Sequence, residues 1–70
     1  MTQIKMQPVE SSQIKAIGWE KETMAVQFKN GDIWEYTGVY EDTYLYLKGS
    51  HSIGGTFAVL KNKLVGKKVS

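Results

Sequence analysis

Ser50-His51-Ser52-Ile53-Gly54-Gly55-Thr56-Phe57 gathers hydroxyls, an imidazole and paired glycines immediately ahead of a segment with helical apolar spacing. The first backbone N–H groups of a helix have no intrahelical acceptor, and with the helix dipole they suit a phosphate or carboxylate. Ser50, His51, Ser52 and Thr56 would add side-chain hydrogen bonds, Gly54 and Gly55 would let an anion approach the main chain, and Lys61 and Lys63 would supply positive charge. A catalytic use would make His51 a general base for Ser50 or Ser52. Neighbours in one loop seldom reach that geometry, and no carboxylate lies close in sequence to orient the imidazole. No catalytic residue is assigned, and the chain is not expected to be an enzyme. The paired glycines also lack the spacing and the following lysine of a nucleotide-binding fingerprint, so a tight turn ahead of a helix accounts for them equally well. No cofactor is implied.

Metal chemistry is equally poorly provided for. The chain has no cysteine and a single histidine, so neither disulfides nor thiolate ligands are available. Its 70 residues make one domain near the lower size at which an apolar core suffices without staples. Packing, or association with another copy, must then supply the stability. No apolar run approaches the roughly 20 residues of a bilayer-spanning helix, and the N-terminus lacks the hydrophobic core of a signal peptide. These features lead us to expect a soluble, cytoplasmic protein with no membrane partner.

Charge is distributed unevenly. The net charge is +2, but residues 1–42 carry four Lys against seven acids, whereas residues 43–70 carry five Lys and no acid. The cationic half suits an anionic partner, although a solvated lysine face is the plainer reading. All nine basic residues are Lys. Arg is the usual choice for bidentate reading of phosphate and guanine in duplexes, so its absence argues against sequence-reading nucleic-acid binding and leaves point-charge attraction.

The elements that would position these groups follow from apolar periodicity. Residues 1–8 read as an arm or edge strand, with Ile4 and Met6 alternating before Pro8. Ile14 to Trp19 reads as a strand, Glu20-Lys21-Glu22 as a charged turn, Thr23 to Phe28 as a second strand and Ile33 to Thr37 as a third. A two-residue loop at Asn30-Gly31 would pair Lys29 with Asp32 and put Trp34 and Tyr36 on the face of Gln27. A three-residue loop with Gly31 left-handed pairs Phe28 with Asp32 and Val26 with Trp34, and collects Met24, Val26, Phe28, Trp34 and Tyr36 on one face. Burying such side chains is worth about 1.5–3 kcal/mol each, so the bulged turn is expected. Tyr40, Tyr44 and Leu47 fall at helical spacing, with Glu41 and Asp42 in the first turn and Lys48-Gly49 at the end. Thr56 to Leu64 repeats the pattern with Phe57, Leu60 and Leu64, Gly66 ends it, and 67–70 is left as a basic tail. Strands precede helices, which predicts an α+β fold: a small antiparallel sheet of three or four strands with two short helices packed on it.

Aromatics off this packed face are candidate stacking surfaces. Trp34 and Tyr36 fall on the core face, whereas Trp19, Tyr40 and Tyr46 are the residues expected to be free for a base or for a contact between copies.

The run Val9-Glu10-Ser11-Ser12-Gln13-Ile14-Lys15-Ala16-Ile17-Gly18-Trp19, then Val26-Gln27-Phe28, Gly31 and Trp34-Glu35-Tyr36, then Val39, Tyr44, Ser52, Gly54 and Phe57, resembles the KTSC family. This domain of similar length stands alone in bacterial and phage proteins and at the C-terminus of some lysyl-tRNA synthetases. The resemblance spans Val9 to Lys68 and implies the α+β fold, with RNA as the partner suggested by the synthetase association. Two positions depart from the family pattern: Ile53 where Lys often follows the serine, and Ala58 where Asn often follows the aromatic.

The expected function is a non-catalytic binding module for a phosphate-bearing ligand, RNA or a small nucleotide, with Ser50, His51, Ser52, Gly54, Gly55, Thr56, Lys61, Lys63, Trp19 and Tyr46 as candidate contacts. A nucleotide needs a pocket that 70 residues hardly enclose, which favours a site where copies of the chain meet. The alternative is a protein-interaction module, such as a phage factor that masks a host protein.

Overall fold

Among the residues described by the computed structural model, 4–69, five strands form one antiparallel sheet in the order β1-β2-β3-β4-β5. They are β1 (Gln7–Pro8), β2 (Ile14–Glu20), β3 (Thr23–Phe28), β4 (Ile33–Thr37) and β5 (Val65–Lys68), with α1 (Glu41–Lys48), α2 (Ile53–Leu60) and a 3₁₀ turn (Lys61–Lys63) between β4 and β5. The fold is α+β, as expected, with one more strand than the upper expectation. Residues 1–3 of the expected arm and Ser70 of the expected tail lie outside the described residues.

The β3–β4 hairpin adopts the bulged register. Val26 pairs with Trp34 and Gln27 with Ile33, the Phe28 N–H donates to the Asp32 carbonyl at 2.9 Å, and Gly31 has φ +101°. The Asn30 Oδ1 accepts the Asp32 N–H at 2.9 Å, which fixes the loop from its own side chain. The β2–β3 turn is tighter than the sequence suggested: Glu20 pairs with Thr23, and Lys21 and Glu22 alone turn the chain at φ +50° and +64°. Both therefore occupy a left-handed conformation that L side chains disfavour.

One face of the sheet carries the core. Ile14, Ile17, Met24, Val26 and Tyr36 from the strands meet Val39, Tyr44, Leu47, Ile53 and Phe57 from the helical layer, with Phe28 and Trp34 packed at the margin. Phe57 sets its ring edge-on against Tyr36, centroids 5.2 Å apart, and tilts against Phe28 at 5.8 Å. On the opposite face Gly18 and Ala25 are paired and both are buried. The N-terminal segment lies over Gly18, where an added Cβ would strike the Lys5 carbonyl and come within 2.7 Å of Ile4 Cγ2. The expected arm is thus an edge strand continued by a segment that covers the back of the sheet.

Two expectations near the C-terminus need correction. Helix α2 starts at Ile53 rather than Thr56, because Ser52 caps it by accepting the Gly55 N–H at 3.2 Å and places both glycines inside the first turn. It stops at Leu60, and Val65–Lys68 pairs with β4, with Tyr36 opposite Gly66 and Trp34 opposite Lys68. Gly66 does not end a helix, and Lys67 and Lys68 are not a tail. Gly66 lies directly beneath Tyr36, whose ring would overlap any Cβ placed there.

Candidate functional site

The paired glycines face a hollow of about 430 Å³ between the start of α2 and the loop leading into β2. Ser11, Ser12 and Gln13 line one wall, and His51, Ser52 and the first-turn backbone line the other. Ser11 is placed by a local turn in which its Oγ accepts the N–H groups of Gln13 and Ile14 at 3.3 and 3.4 Å. That hydroxyl stands so close to α2 that a Cβ on Gly54 would sit 3.1 Å from it, and one on Gly55 would sit 2.9 Å from Ser52 Oγ. Both glycines are therefore explained by close approach of hydroxyls to the helix. Of the first-turn donors, Gly55 is taken by the Ser52 cap, while Thr56 N–H already donates to the Ser52 carbonyl at 2.9 Å. The geometry of an α-helix leaves the Ile53 and Gly54 amides without intrahelical acceptors.

The sequence-predicted contacts are divided among several places. His51, Ser52, Gly54 and Gly55 share the hollow. Ser50, Thr56 and Tyr46 line a shallow groove beside it, and the Ser50 hydroxyl is engaged, donating to the Leu47 carbonyl at 2.8 Å. Tyr46 is 69% exposed, off the packed face as its position in the helix implied, and Tyr40 is similarly exposed. Lys61 and Lys63 stand on the 3₁₀ turn at the far end of α2, a helix of eight residues spanning about 12 Å, and no lysine lines the hollow. Glu10, by contrast, lies on its rim.

Trp19 is a structural residue, contrary to the expectation of a free stacking surface. Its Nε1–H donates to the Val39 carbonyl at 2.7 Å, and its ring stacks on Tyr44 with centroids 6.3 Å apart. It pins the segment between β4 and α1 to the end of β2. Burial raises the Tyr44 hydroxyl above its ordinary pKa of 10.0, and it does the same to Tyr36.

The sequence model of the KTSC domain family matches residues 10–59, from the Ser11-Ser12 wall of the hollow through the first two turns of α2. The chain belongs to the KTSC domain family. A crystal structure of a KTSC domain protein from Yersinia pestis has the same fold: at 31% sequence identity it aligns with a TM-score of 0.86, covering 96% of this chain and 99% of that one. No curated protein matches the chain. The KTSC match includes both walls of the hollow and stops short of the Lys61–Lys63 turn and β5.

The residues that sequence reasoning missed at this site are Ser11, Ser12 and Gln13. About forty residues separate them from Ser52, and no local pattern signals that the two segments meet. Their place within the run that carries the family resemblance was the available hint. Among the described residues, no three His, Cys, Asp or Glu side chains converge as a metal site would require, and no helix is long and apolar enough to cross a membrane.

Proposed function

We propose that this KTSC domain is a non-catalytic, cytoplasmic binding module for a phosphate-bearing ligand, either a single-stranded RNA or a small nucleotide. The observation that carries the reading is the hollow at the start of α2, where hydroxyls from two distant segments flank the amides of Ile53 and Gly54. The phosphate sits against those amides, with Ser12, Gln13 and His51 as further polar contacts. Lys61 and Lys63, about 12 Å further along, act on further phosphates of an extended strand rather than on the same one. The hollow is open on one side, so a small nucleotide would be enclosed only by a second copy of the chain, whereas a strand of RNA needs no such closure.

Binding of a short single-stranded RNA, measured across a salt series, tests this reading. Affinity should fall steeply with salt, and Lys61→Ala with Lys63→Ala should flatten the log–log slope by up to about 1.4, at about 0.7 for each phosphate deprived of its ammonium partner. Absence of binding, or binding indifferent to salt, would reject it.

A second reading has its own support. Leu45, Tyr46 and Val59 are 54%, 69% and 62% exposed and belong to the outward sides of the two helices. An apolar, aromatic patch of this kind suits a protein partner, as in a phage factor that masks a host protein, and its affinity would change little with salt.

A further inference from the structure

At the far end of α2 a second hollow, of about 460 Å³, opens between the β3–β4 hairpin and the Lys61–Lys63 turn. Its floor is aromatic. Trp34 lies nearly parallel to Tyr36, at 18° with centroids 6.3 Å apart, and Phe28 and Leu64 complete the apolar lining. Trp34 is only half-buried, so part of a broad π surface faces the hollow instead of the core. Indole surfaces of this kind take flat heterocycles, because every nucleobase has a π face to stack.

The rim determines which base. Asp32 is fixed in place: its Oδ2 accepts the Asn30 side-chain amide at 3.4 Å, and its Oδ1 lies 3.5 Å from Lys68 Nζ. A carboxylate offers about four lone-pair positions, so about two remain to accept from a ligand. Asn62 spends an Nδ2 hydrogen on the Ala58 carbonyl at 3.3 Å, which leaves its Oδ1 as another acceptor beside the hollow. The rim thus offers acceptors to an edge that carries neighbouring N–H donors. Guanine presents such an edge with N1–H and its exocyclic N2–H, whereas the corresponding edge of adenine pairs one donor with one acceptor. We propose that this cleft binds a guanine base, stacked on Trp34 and donating its N1–H and N2–H to Asp32, with Lys61 beside the sugar-phosphate. The cleft lies at the opposite end of α2 from the hydroxyl-lined hollow and shares no lining residue with it; only Lys61 is common to the two readings, so base binding here is separable from phosphate binding there.

Guanosine, which has no phosphate, is the probe that separates the two. Titrated into the uniformly ¹⁵N-labelled chain, it should shift the Trp34 indole N–H saturably and leave that of Trp19 in place. Adenosine should bind about ten-fold more weakly, and Asp32→Asn should abolish that difference, in line with the discrimination of a bidentate contact. Trp34→Phe, chosen to keep the aromatic floor filled, should weaken both nucleosides while leaving the preference intact. An unmoved Trp34 resonance, equal affinity for the two nucleosides, or a preference that survives Asp32→Asn would overturn the proposal, whatever inorganic phosphate does at the start of α2. Guanosine monophosphate and a short RNA with one guanine then separate the sources: tighter binding of the strand identifies RNA, and equal binding identifies the free nucleotide.

Discussion

Gly18→Ala should weaken the domain through the N-terminal segment that covers it. The new Cβ would enter the space of the Lys5 carbonyl and lie 2.7 Å from Ile4 Cγ2, and a main-chain carbonyl cannot yield by changing rotamer. Either β2 shifts or the N-terminal segment lifts off the sheet. Lifting off caps the cost at what that segment contributes. Ile4 and Met6 are half-buried, and half of about 1.5–3 kcal/mol each amounts to about 1.5–3 kcal/mol before the entropy of ordering the segment is subtracted. We therefore expect Gly18→Ala to cost about 1–2 kcal/mol, or about 5–10 °C in thermal melts of a domain this small. Deleting residues 1–6 should cost a similar amount, and adding Gly18→Ala to the deletion should then be nearly free, because nothing is left to collide with. Urea denaturation of the four proteins measures this coupling directly. Additive losses would refute the argument, and so would a Gly18→Ala variant as stable as its parent.

Other consequences follow from local geometry. Glu22→Gly should stabilise the chain by about 0.5–1 kcal/mol in denaturant titrations, since relief of a left-handed non-glycine residue exceeds the added flexibility of the unfolded chain, and a loss of stability would contradict the turn assignment. Ser52→Ala should cost about 1 kcal/mol by uncapping α2, with Ser52→Asp retaining most of it, as read from thermal melts. Tyr36 and Tyr44 hold their protons more tightly when folded than when unfolded, so their contribution is complete below about pH 10 and declines as pH rises through the folded values. Melting temperature should accordingly drop above pH 10, and Tyr36→Phe should shrink that drop.

What was legible in the sequence was what short-range pattern determines. Alternation in Met24, Val26 and Phe28, together with Asn30-Gly31, fixed the hairpin register to the residue, because a slip by one would have turned Trp34 and Tyr36 to the wrong face. The acidic first turn and apolar spacing of α1 were equally plain. What escaped depends on partners remote in the chain. Leu64 continues the helical spacing of Phe57 and Leu60, so β5 was hidden inside an apparent helix, and the role of Gly66 appears only when the Tyr36 ring is placed over it. Trp19 looked available until the Val39 carbonyl, twenty residues on, came into its reach. At the hollow, Ser52 and the glycines were visible as a helix entrance, but the opposing serines come from the other end of the chain. The lysines expected beside them are separated by the length of α2, since the helix starts three residues earlier and stops four residues sooner than its apolar spacing suggested.

Backbone amide shifts in the ¹⁵N-labelled chain during titration with inorganic phosphate test the central claim most directly. Phosphate binding at the start of α2 should move the Ile53 and Gly54 resonances saturably together with those of Ser12 and Gln13, while Lys61 and Lys63 stay in place. Movement confined to the lysine-bearing turn, or none at all, would contradict it.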